Sequence, residues 1–281
     1  WVLGRAYDAV AAVAGHLVIV LALLATVLGL AWAWVLYTYR WFAGHADSLL
    51  ARALDWSHRH PVVGRHSAAV FDPSHRESTS LALLAVLLMA IGWAWFVLLL
   101  VVIGHGEPLA LDLAVHQAML ALRNPLADHP MAALASLGDW PVLAPACIAV
   151  LAWFAWRRLW MAAAHWLAAL AFGLALTWLL GNTMDVVRPP GASSGFGFPS
   201  IAVTMATVAF GFFAVLIARE LPGRDRVWPY LVSGAVVTVI GFARLYLGAH
   251  WLSDIVGGVL LGALWVLLIG IAYRSHSERS F

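Results

Sequence analysis

Long apolar segments recur along the whole chain and are separated by short polar stretches. As helices, segments of this kind are long enough to cross about 30 Å of hydrocarbon. Seven of them cover residues 10–37, 80–103, 141–156, 161–180, 200–218, 230–247 and 251–273, and the third is the shortest. The pattern therefore predicts an all-α integral membrane protein.

Composition supports this prediction and excludes several other classes of protein. Of the 281 residues, 63% are hydrophobic and 11% are charged, and the mean hydropathy is +0.89. Soluble domains have a more polar composition. A formal charge of +2 is too small to indicate a nucleic-acid partner. The single cysteine, Cys147, rules out intramolecular disulfides and cysteine-rich metal sites, and its apolar surroundings indicate a buried thiol.

Arginines mark alternate ends of the apolar segments. The positive-inside rule assigns those ends to the cytoplasm, and they hold Arg40, Arg52, Arg59, Arg157, Arg158, Arg219, Arg224, Arg226, Arg274 and Arg279. The ends next to Arg188 and His250 then face outside. The chain has no lysine and is rich in alanine, arginine and tryptophan. This composition favours a bacterial inner membrane, with the outer ends in the periplasm.

Two polar inserts interrupt the apolar pattern. Residues 41–79 read as a cytoplasmic linker with amphipathic pieces. Its histidines, His58, His60, His66 and His75, lack the close spacing of a metal site and lie among arginines, so a solvated linker is favoured over a metal site. Residues 104–139 form an external insert with an amphipathic pattern over 109–122. This pattern predicts either an interfacial helix that covers the site or a plain connecting loop.

The two ends of the chain carry further expectations. Because the chain begins with Trp1 rather than methionine, we expect it to be part of a longer protein with a fused or missing upstream domain. Residues 274–281 are expected to form a cytoplasmic tail.

Charged residues within the apolar C-terminal half provide the candidate chemistry. The stretch ARLYLGAHWLSD, residues 243–254, contains Arg244, His250 and Asp254. Charges in or near a bilayer cost roughly 2.5 kcal/mol or more each, so they indicate function. His250 and Asp254 are four residues apart, which places them on one face of a helix, where a carboxylate can orient an imidazole. Arg244 could bind an anion in a bidentate manner, so the stretch indicates phosphate chemistry at a membrane surface.

Two further stretches are predicted to face the same side of the membrane. Arg188 precedes two prolines in MDVVRPPG, and Ser200 follows Pro199 at the start of the fifth apolar segment. Free amide groups at a helix start form an anion-binding site. Each signal is weak alone, but all three stretches meet at one predicted membrane face.

On these three stretches the chain resembles the type 2 phosphatidic acid phosphatase (PAP2) family, which shares its core with vanadium haloperoxidases and bacterial undecaprenyl-pyrophosphate phosphatases. That family has three motifs: a lysine, six residues and Arg-Pro; Pro-Ser-Gly-His; and Ser-Arg, five residues, His, three residues and Asp. The third is present here with Ala243 in place of serine. The resemblance covers residues 80–273 and implies a six-helix transmembrane core, preceded by one additional transmembrane helix within residues 1–40.

The resemblance also implies roles for individual residues. His250 would be the nucleophile that forms a phosphohistidine, and Asp254 would orient it. Arg188, Ser200 and Arg244 would bind the phosphate. No metal or other cofactor is implied, because arginines and backbone amides can stabilise the charge of the transition state. The partners would be a lipid phosphate or pyrophosphate and the surrounding membrane lipids.

Three positions depart from the family motifs. Gly181 stands where the family has its lysine, and Ile201 and Ala202 replace the glycine and histidine of the second motif. The resemblance assigns that histidine as general acid for the leaving group. Such catalysis contributes about 10²- to 10⁴-fold, and a pyrophosphate, as the better leaving group, would depend on it less.

Other titratable groups could compensate for the missing histidine. His116 and His129 are predicted on the outer side, although their spacing supports no specific role. Asp185 is better explained as a counter-ion of Arg188 than as an acid.

Three functional hypotheses remain open at this point. The first is a lipid phosphatase with impaired or altered activity. The second is a pseudophosphatase that binds or transports a lipid phosphate without cleaving it. The third is a membrane scaffold with relic motifs, which the retained charges disfavour because unneeded charges in a membrane are costly.

Overall fold

The computed structural model describes residues 2–59, 76–184, 186–192 and 197–278, and every long element in these ranges is an α-helix. Asp185, His60, His66 and His75 lie outside these ranges, so the interpretations of them stay untested. The helices are α1 Val2–Arg59, α2 Arg76–His105, α3 Ala110–Ala121, α4 Pro125–Ser136, α5 Trp140–Trp156, α6 Trp160–Thr183, α7 Ile201–Glu220, α8 Trp228–Tyr246 and α9 Leu252–Glu278, and a 3₁₀ turn spans Gly223–Val227.

The prediction of an all-α membrane protein is confirmed. Within the described ranges, seven segments are long and apolar enough to cross a membrane, as predicted. They are Val13–Trp34, Val86–His105, Pro125–Trp156, Trp160–Thr183, Ile201–Glu220, Asp225–Tyr246 and Leu252–Tyr273. The third is longer than the sequence pattern indicates because α4 and α5 follow each other with only residues 137–139 between them.

Both polar inserts contain more helix than their composition indicates. α1 continues past the apolar segment to Arg59, so the first part of the predicted linker, residues 41–59, is helical. In the external insert, α3 coincides with the amphipathic pattern over 109–122, and it packs against α8 and α9. The insert therefore contacts the two helices that carry the third motif.

Helix α7 is the most enclosed of the seven apolar segments. It packs against α9, α8 and α6, and its residues run through two apolar clusters. The cluster shared with α5 and α6 contains Leu143, Cys147, Phe154, Ala162, Ala163, Trp166, Met205, Ala209 and Phe212. The cluster shared with α8 and α9 contains Val203, Ala206, Val237, Ile240 and Ile255. The thiol of Cys147 is buried, as its apolar surroundings indicate.

Glycines allow α7 and α9 to approach closely. A Cβ placed on Gly262 would lie 2.6 Å from Thr207 Cβ, and one placed on Gly258 would lie 3.1 Å from the carbonyl oxygen of Ser200. These glycines are four residues apart, the spacing with which small residues bring membrane helices together. The close crossing brings the start of α9 beside the start of α7.

Candidate active site

The turn between α8 and α9 carries the candidate nucleophile. Gly248 in this turn has φ +69°, which disfavours any residue with a Cβ, and a Cβ there would also lie 3.2 Å from His116 Cε1. His250 follows two residues later, before α9 begins at Leu252. The spacing to Asp254 predicts that His250 lies on a helix face, and this prediction is wrong, because His250 lies in the turn before the helix.

The side chains of His250 and Asp254 nevertheless meet. The His250 Nδ1 atom lies 3.4 Å from Asp254 Oδ2, and that oxygen also accepts a 2.9 Å hydrogen bond from the Trp251 backbone N–H. Asp254 is fully buried, and His250 is 6% exposed. A carboxylate at Nδ1 favours the tautomer with its proton there, which leaves the lone pair of Nε2 available for chemistry.

Arg188 contacts the residue that precedes His250. Its Nη2 atom donates a 3.1 Å hydrogen bond to the carbonyl oxygen of Ala249. The neighbouring backbone is fixed because Trp251 Nε1 donates a 2.7 Å hydrogen bond to the Val187 carbonyl oxygen. Burial lowers the pKa of Arg188, and the charge of Asp254 opposes this effect. Since an arginine starts from so high a pKa, it remains a cation beside His250.

Ser200 joins the second motif to the third. It is the N-cap of α7, and its backbone N–H donates a 3.1 Å hydrogen bond to the carbonyl oxygen of Asp254. The hydroxyl group is buried and makes no hydrogen bond to any described residue. The start of α7 thus places a hydroxyl donor and free backbone amides near the histidine and aspartate.

Arg244 lies in the last turn of α8 and pairs with a residue that the motif pattern does not include. Its Nη2 atom forms a short ion pair with Asp139 Oδ1 and lies 3.4 Å from the Ala135 carbonyl oxygen. Asp139 is the N-cap of α5, and its side chain is 49% exposed. The signal in the sequence is a lone acidic residue directly before an apolar segment, on the predicted outer side.

The position of Ala202 faces the same connection between α4 and α5. A Cβ placed on Gly138 would lie 3.4 Å from Ala202 Cβ, so the second motif ends beside the residue that precedes Asp139. Ile201 packs against the apolar cluster of α5 and α6, and Gly181 lies in the last turn of α6. The three residues that depart from the motifs therefore lie in different surroundings.

Asp112 of α3 is a second acidic residue that the motifs do not include. It is 3% exposed, and its two oxygens each accept a 2.8 Å hydrogen bond from Ser253, one from the backbone N–H and one from the hydroxyl. The external insert is thus tied to the residue directly before Asp254. The signal in the sequence is the single carboxylate of this amphipathic helix.

The two histidines of the insert differ in their surroundings. His116 is 9% exposed, and its ring centroid lies 5.1 Å from that of Trp251, whereas His129 is exposed on α4. Within the described ranges no three His, Cys, Asp or Glu side chains are arranged to bind a metal ion.

A cavity of about 180 Å³ opens beside this region. Its walls come from the end of α2, the start of α3, the end of α6 and the start of α9, and they include Asp112, Trp251 and Ser253. Apolar side chains such as Val102, Ile103 and Leu109 line most of the rest, together with Glu107 and Thr183. The cavity therefore combines an apolar wall with the polar start of α9.

Comparisons with known proteins agree with this arrangement. The family model of the PAP2 superfamily matches residues 182–278, which include Arg188, Ser200, Arg244, His250 and Asp254. The chain is 28% identical over 184 residues to phosphatidylglycerophosphatase B of Bacillus subtilis, a match that covers 62% of this chain and 89% of that protein. It is 27% identical over 119 residues to the putative undecaprenyl-diphosphatase YbjG of Escherichia coli, covering 40% of this chain and 58% of the relative.

A solved structure shows the same fold. The transmembrane PAP2-type phosphatidylglycerolphosphate phosphatase of Bacillus subtilis superposes with a TM-score of 0.57 at 24% identity, covering 68% of this chain and 96% of that one. The family match, the curated relatives and the helical architecture confirm the resemblance noted from the motifs. Residues 182–278 of the chain therefore match the PAP2 superfamily, and the fold resembles that of a transmembrane PAP2-type phosphatase.

Proposed function

We propose that the protein is a membrane lipid phosphatase that hydrolyses a lipid phosphate or pyrophosphate through a phosphohistidine on His250. The observation that carries the proposal is the meeting of three motif elements at one point: the His250–Asp254 contact, the Arg188 bond to Ala249 and the Ser200 bond to Asp254. The names of the relatives describe activity on phosphatidylglycerophosphate and undecaprenyl diphosphate, which supports this class of substrate.

In the first half of the reaction, the Nε2 lone pair of His250 attacks the phosphorus atom. A P–N bond forms as the bond between phosphorus and the leaving oxygen breaks, and the bonding electrons depart with that oxygen. Asp254 stabilises the imidazolium that develops, because its carboxylate faces Nδ1. Arg188, Arg244 and the Ser200 hydroxyl bind the non-bridging oxygens, whose charge increases in the transition state.

In the second half, water attacks the phosphohistidine. The P–N bond breaks, its electrons return to Nε2, and inorganic phosphate leaves. Position 202 holds an alanine, which cannot protonate the leaving oxygen in the first half of the reaction. Substrates with a good leaving group should therefore react fastest. This reasoning favours a pyrophosphate over a simple lipid monophosphate and gives an activity that is altered relative to that expected of the complete family motif.

The distribution of arginines also supports a location for the site. The arginine pattern predicts a site at the outer, periplasmic face of a bacterial inner membrane, and both curated relatives come from bacteria. The lipid phosphate would then reach His250 from the outer leaflet.

Phosphate release by the purified full chain tests the proposal. The substrates are phosphatidic acid, phosphatidylglycerophosphate, undecaprenyl phosphate and undecaprenyl pyrophosphate, and the variants are His250→Ala and Ala202→His. His105→Ala is the matched control, because His105 is exposed at the end of α2 and bonds only to Val101 of its own helix. We expect turnover, fastest with the pyrophosphate, that His250→Ala abolishes and His105→Ala leaves unchanged.

Three other results would overturn the proposal. Turnover that survives in His250→Ala would exclude the phosphohistidine. Retention of lipid phosphate without turnover in the chain as it stands would favour the second hypothesis, a lipid-phosphate binding or transport protein. Activity that appears only in Ala202→His would identify the chain as a phosphatase disabled at the second motif.

A further inference from the structure

A larger cavity lies at the opposite end of the helix bundle. It has a volume of about 850 Å³ and lies where α5 ends, α6 begins, α7 ends and α9 passes. α7 has 20 residues and its N-cap is Ser200, so this cavity lies about 30 Å from the candidate active site at 1.5 Å per residue. The arginine pattern predicts that this end faces the cytoplasm.

The polar part of the cavity is mainly basic. Arg157, Arg158 and Arg219 line it together with one acidic residue, Glu220. Neither Arg157 nor Arg158 forms an ion pair with any described residue. The Arg219 guanidinium lies 4.8 Å from the centre of the Tyr273 ring, which holds that cation at the edge of the cavity. The cavity thus has an excess of positive charge.

Arg158 occupies a conformation that usually belongs to glycine. It directly follows the C-cap of α5 and has φ +55°, the only positive φ of a non-glycine residue among those that the structure describes. Helices commonly end with a left-handed glycine at this position. In this protein Arg158 takes the place of that glycine, and it lines the cavity.

The rest of the wall is aromatic and aliphatic. Trp153, Trp156, Phe213, Leu216 and Ile217 line it, and Trp156 is 79% exposed. Exposed tryptophans at helix ends are typical of the membrane interface. An apolar wall next to a group of arginines is complementary to a molecule with a negatively charged headgroup and hydrocarbon tails.

We propose that this cavity binds one anionic phospholipid of the leaflet opposite to the candidate active site. The arginines hold the phosphodiester by charge-assisted hydrogen bonds, and the aromatic wall packs against the upper part of the acyl chains. The lipid is a ligand here and not a substrate. The proposal does not depend on turnover at His250.

Native mass spectrometry of the full chain tests the proposal. The protein in non-ionic detergent receives equal amounts of phosphatidylglycerol and phosphatidylcholine, neither of which has a terminal phosphate to be hydrolysed. We expect phosphatidylglycerol to be retained about tenfold more strongly. Replacement of Arg157, Arg158 and Arg219 by glutamine should remove this preference.

Three further variants distinguish binding in the cavity from general attraction by positive charge and from binding at the candidate active site. Glu220→Gln removes the acidic group and should strengthen retention, a direction that misfolding cannot imitate. Arg226→Gln removes an exposed arginine from the same end of the bundle but outside the cavity and should have no effect. Arg188→Gln should also retain the preference, because it alters the other end.

Opposite results would overturn the proposal. Unchanged phosphatidylglycerol preference in the triple variant would exclude the cavity as its origin. An equal loss in Arg226→Gln would mean that general positive charge attracts the lipid. A loss in Arg188→Gln would place the bound lipid at the candidate active site.

Discussion

Arg244 and Asp139 form an ion pair that joins the last turn of α8 to the N-cap of α5. Arg244 is one of the proposed phosphate ligands. Asp139 therefore binds part of the same guanidinium group that a phosphate would bind. Asp139 also directly follows Gly138, which packs against Ala202. The pair therefore lies where the second and third motifs meet.

Asp139→Asn should strengthen phosphate binding. Because the carboxylate competes with phosphate for Arg244, its removal should lower the inhibition constant of inorganic vanadate or phosphate. A half-exposed ion pair contributes about 0.2–1 kcal/mol, which corresponds to a decrease of up to about fivefold. Inhibition of phosphate release gives the constant.

The matched control for this prediction is Asp128→Asn. Asp128 pairs with Arg123 at 3.0 Å on the same side of the bundle but belongs to no motif. An inhibition constant that rises in Asp139→Asn would contradict the competition and would mean that Asp139 holds Arg244 in its binding position.

Asp254→Asn should lower kcat roughly 10²- to 10⁴-fold, the range typical of lost acid–base assistance. The amide preserves the size of the side chain but cannot stabilise the imidazolium at 3.4 Å from Nδ1. Rapid-quench measurement of the phosphoenzyme should show slower formation. A thermal unfolding curve establishes that the variant is folded.

The double variant with His250→Ala provides the control for Asp254. If both residues act on one step, Asp254→Asn should not lower kcat any further once His250 has been replaced by alanine. An additional loss in the double variant would argue that Asp254 acts elsewhere.

Ser253→Ala and Asp112→Ala should show energetic coupling. The Ser253 hydroxyl donates to a carboxylate that is 3% exposed, and hydrogen bonds to charged groups contribute about 1.5–3 kcal/mol. We expect a coupling of about 1.5 kcal/mol in a double-mutant cycle of unfolding free energy measured in detergent. Ser136→Ala is the control, since that hydroxyl bonds only within its own helix. Additive effects of the two changes would contradict the contact.

Gly262→Ala should destabilise the fold by about 1–3 kcal/mol, as overpacking of a tight contact does. The added methyl group would meet Thr207 Cβ at 2.6 Å, so α7 and α9 would have to separate. Gly270→Ala on the same helix is the matched control, because its methyl group would meet Val215 at 3.9 Å, an ordinary contact. Comparison of the two melting temperatures tests the prediction, and equal values would contradict it.

The apolar segments predicted the membrane helices well because a bilayer leaves a buried backbone few alternatives. A chain in hydrocarbon must satisfy its own hydrogen bonds, so long apolar segments become helices. Outside the hydrocarbon this constraint is absent. Residues 41–59 are polar enough to resemble a linker, yet they continue α1 to Arg59.

The candidate site was predicted less completely, for a different reason. The motifs identified Arg188, Ser200, Arg244, His250 and Asp254, and their roles stay predictions. Helical spacing placed His250 on α9, but Gly248 opens a turn there and the contact with Asp254 forms across it. Asp112 and Asp139 are joined to the motifs only by tertiary contacts, 141 and 105 residues apart in sequence, which no local pattern contains.

Asp254 contributes through both its side chain and its backbone, since its carboxylate faces His250 and its carbonyl oxygen accepts the Ser200 amide. Both contacts require α9, the last membrane helix of the described chain. During synthesis the preceding helices leave the ribosome and enter the bilayer first. A nascent chain arrested before α9 therefore has the arginines and the serine in the membrane but lacks the His250–Asp254 contact, so the proposed centre assembles only when α9 enters the bilayer.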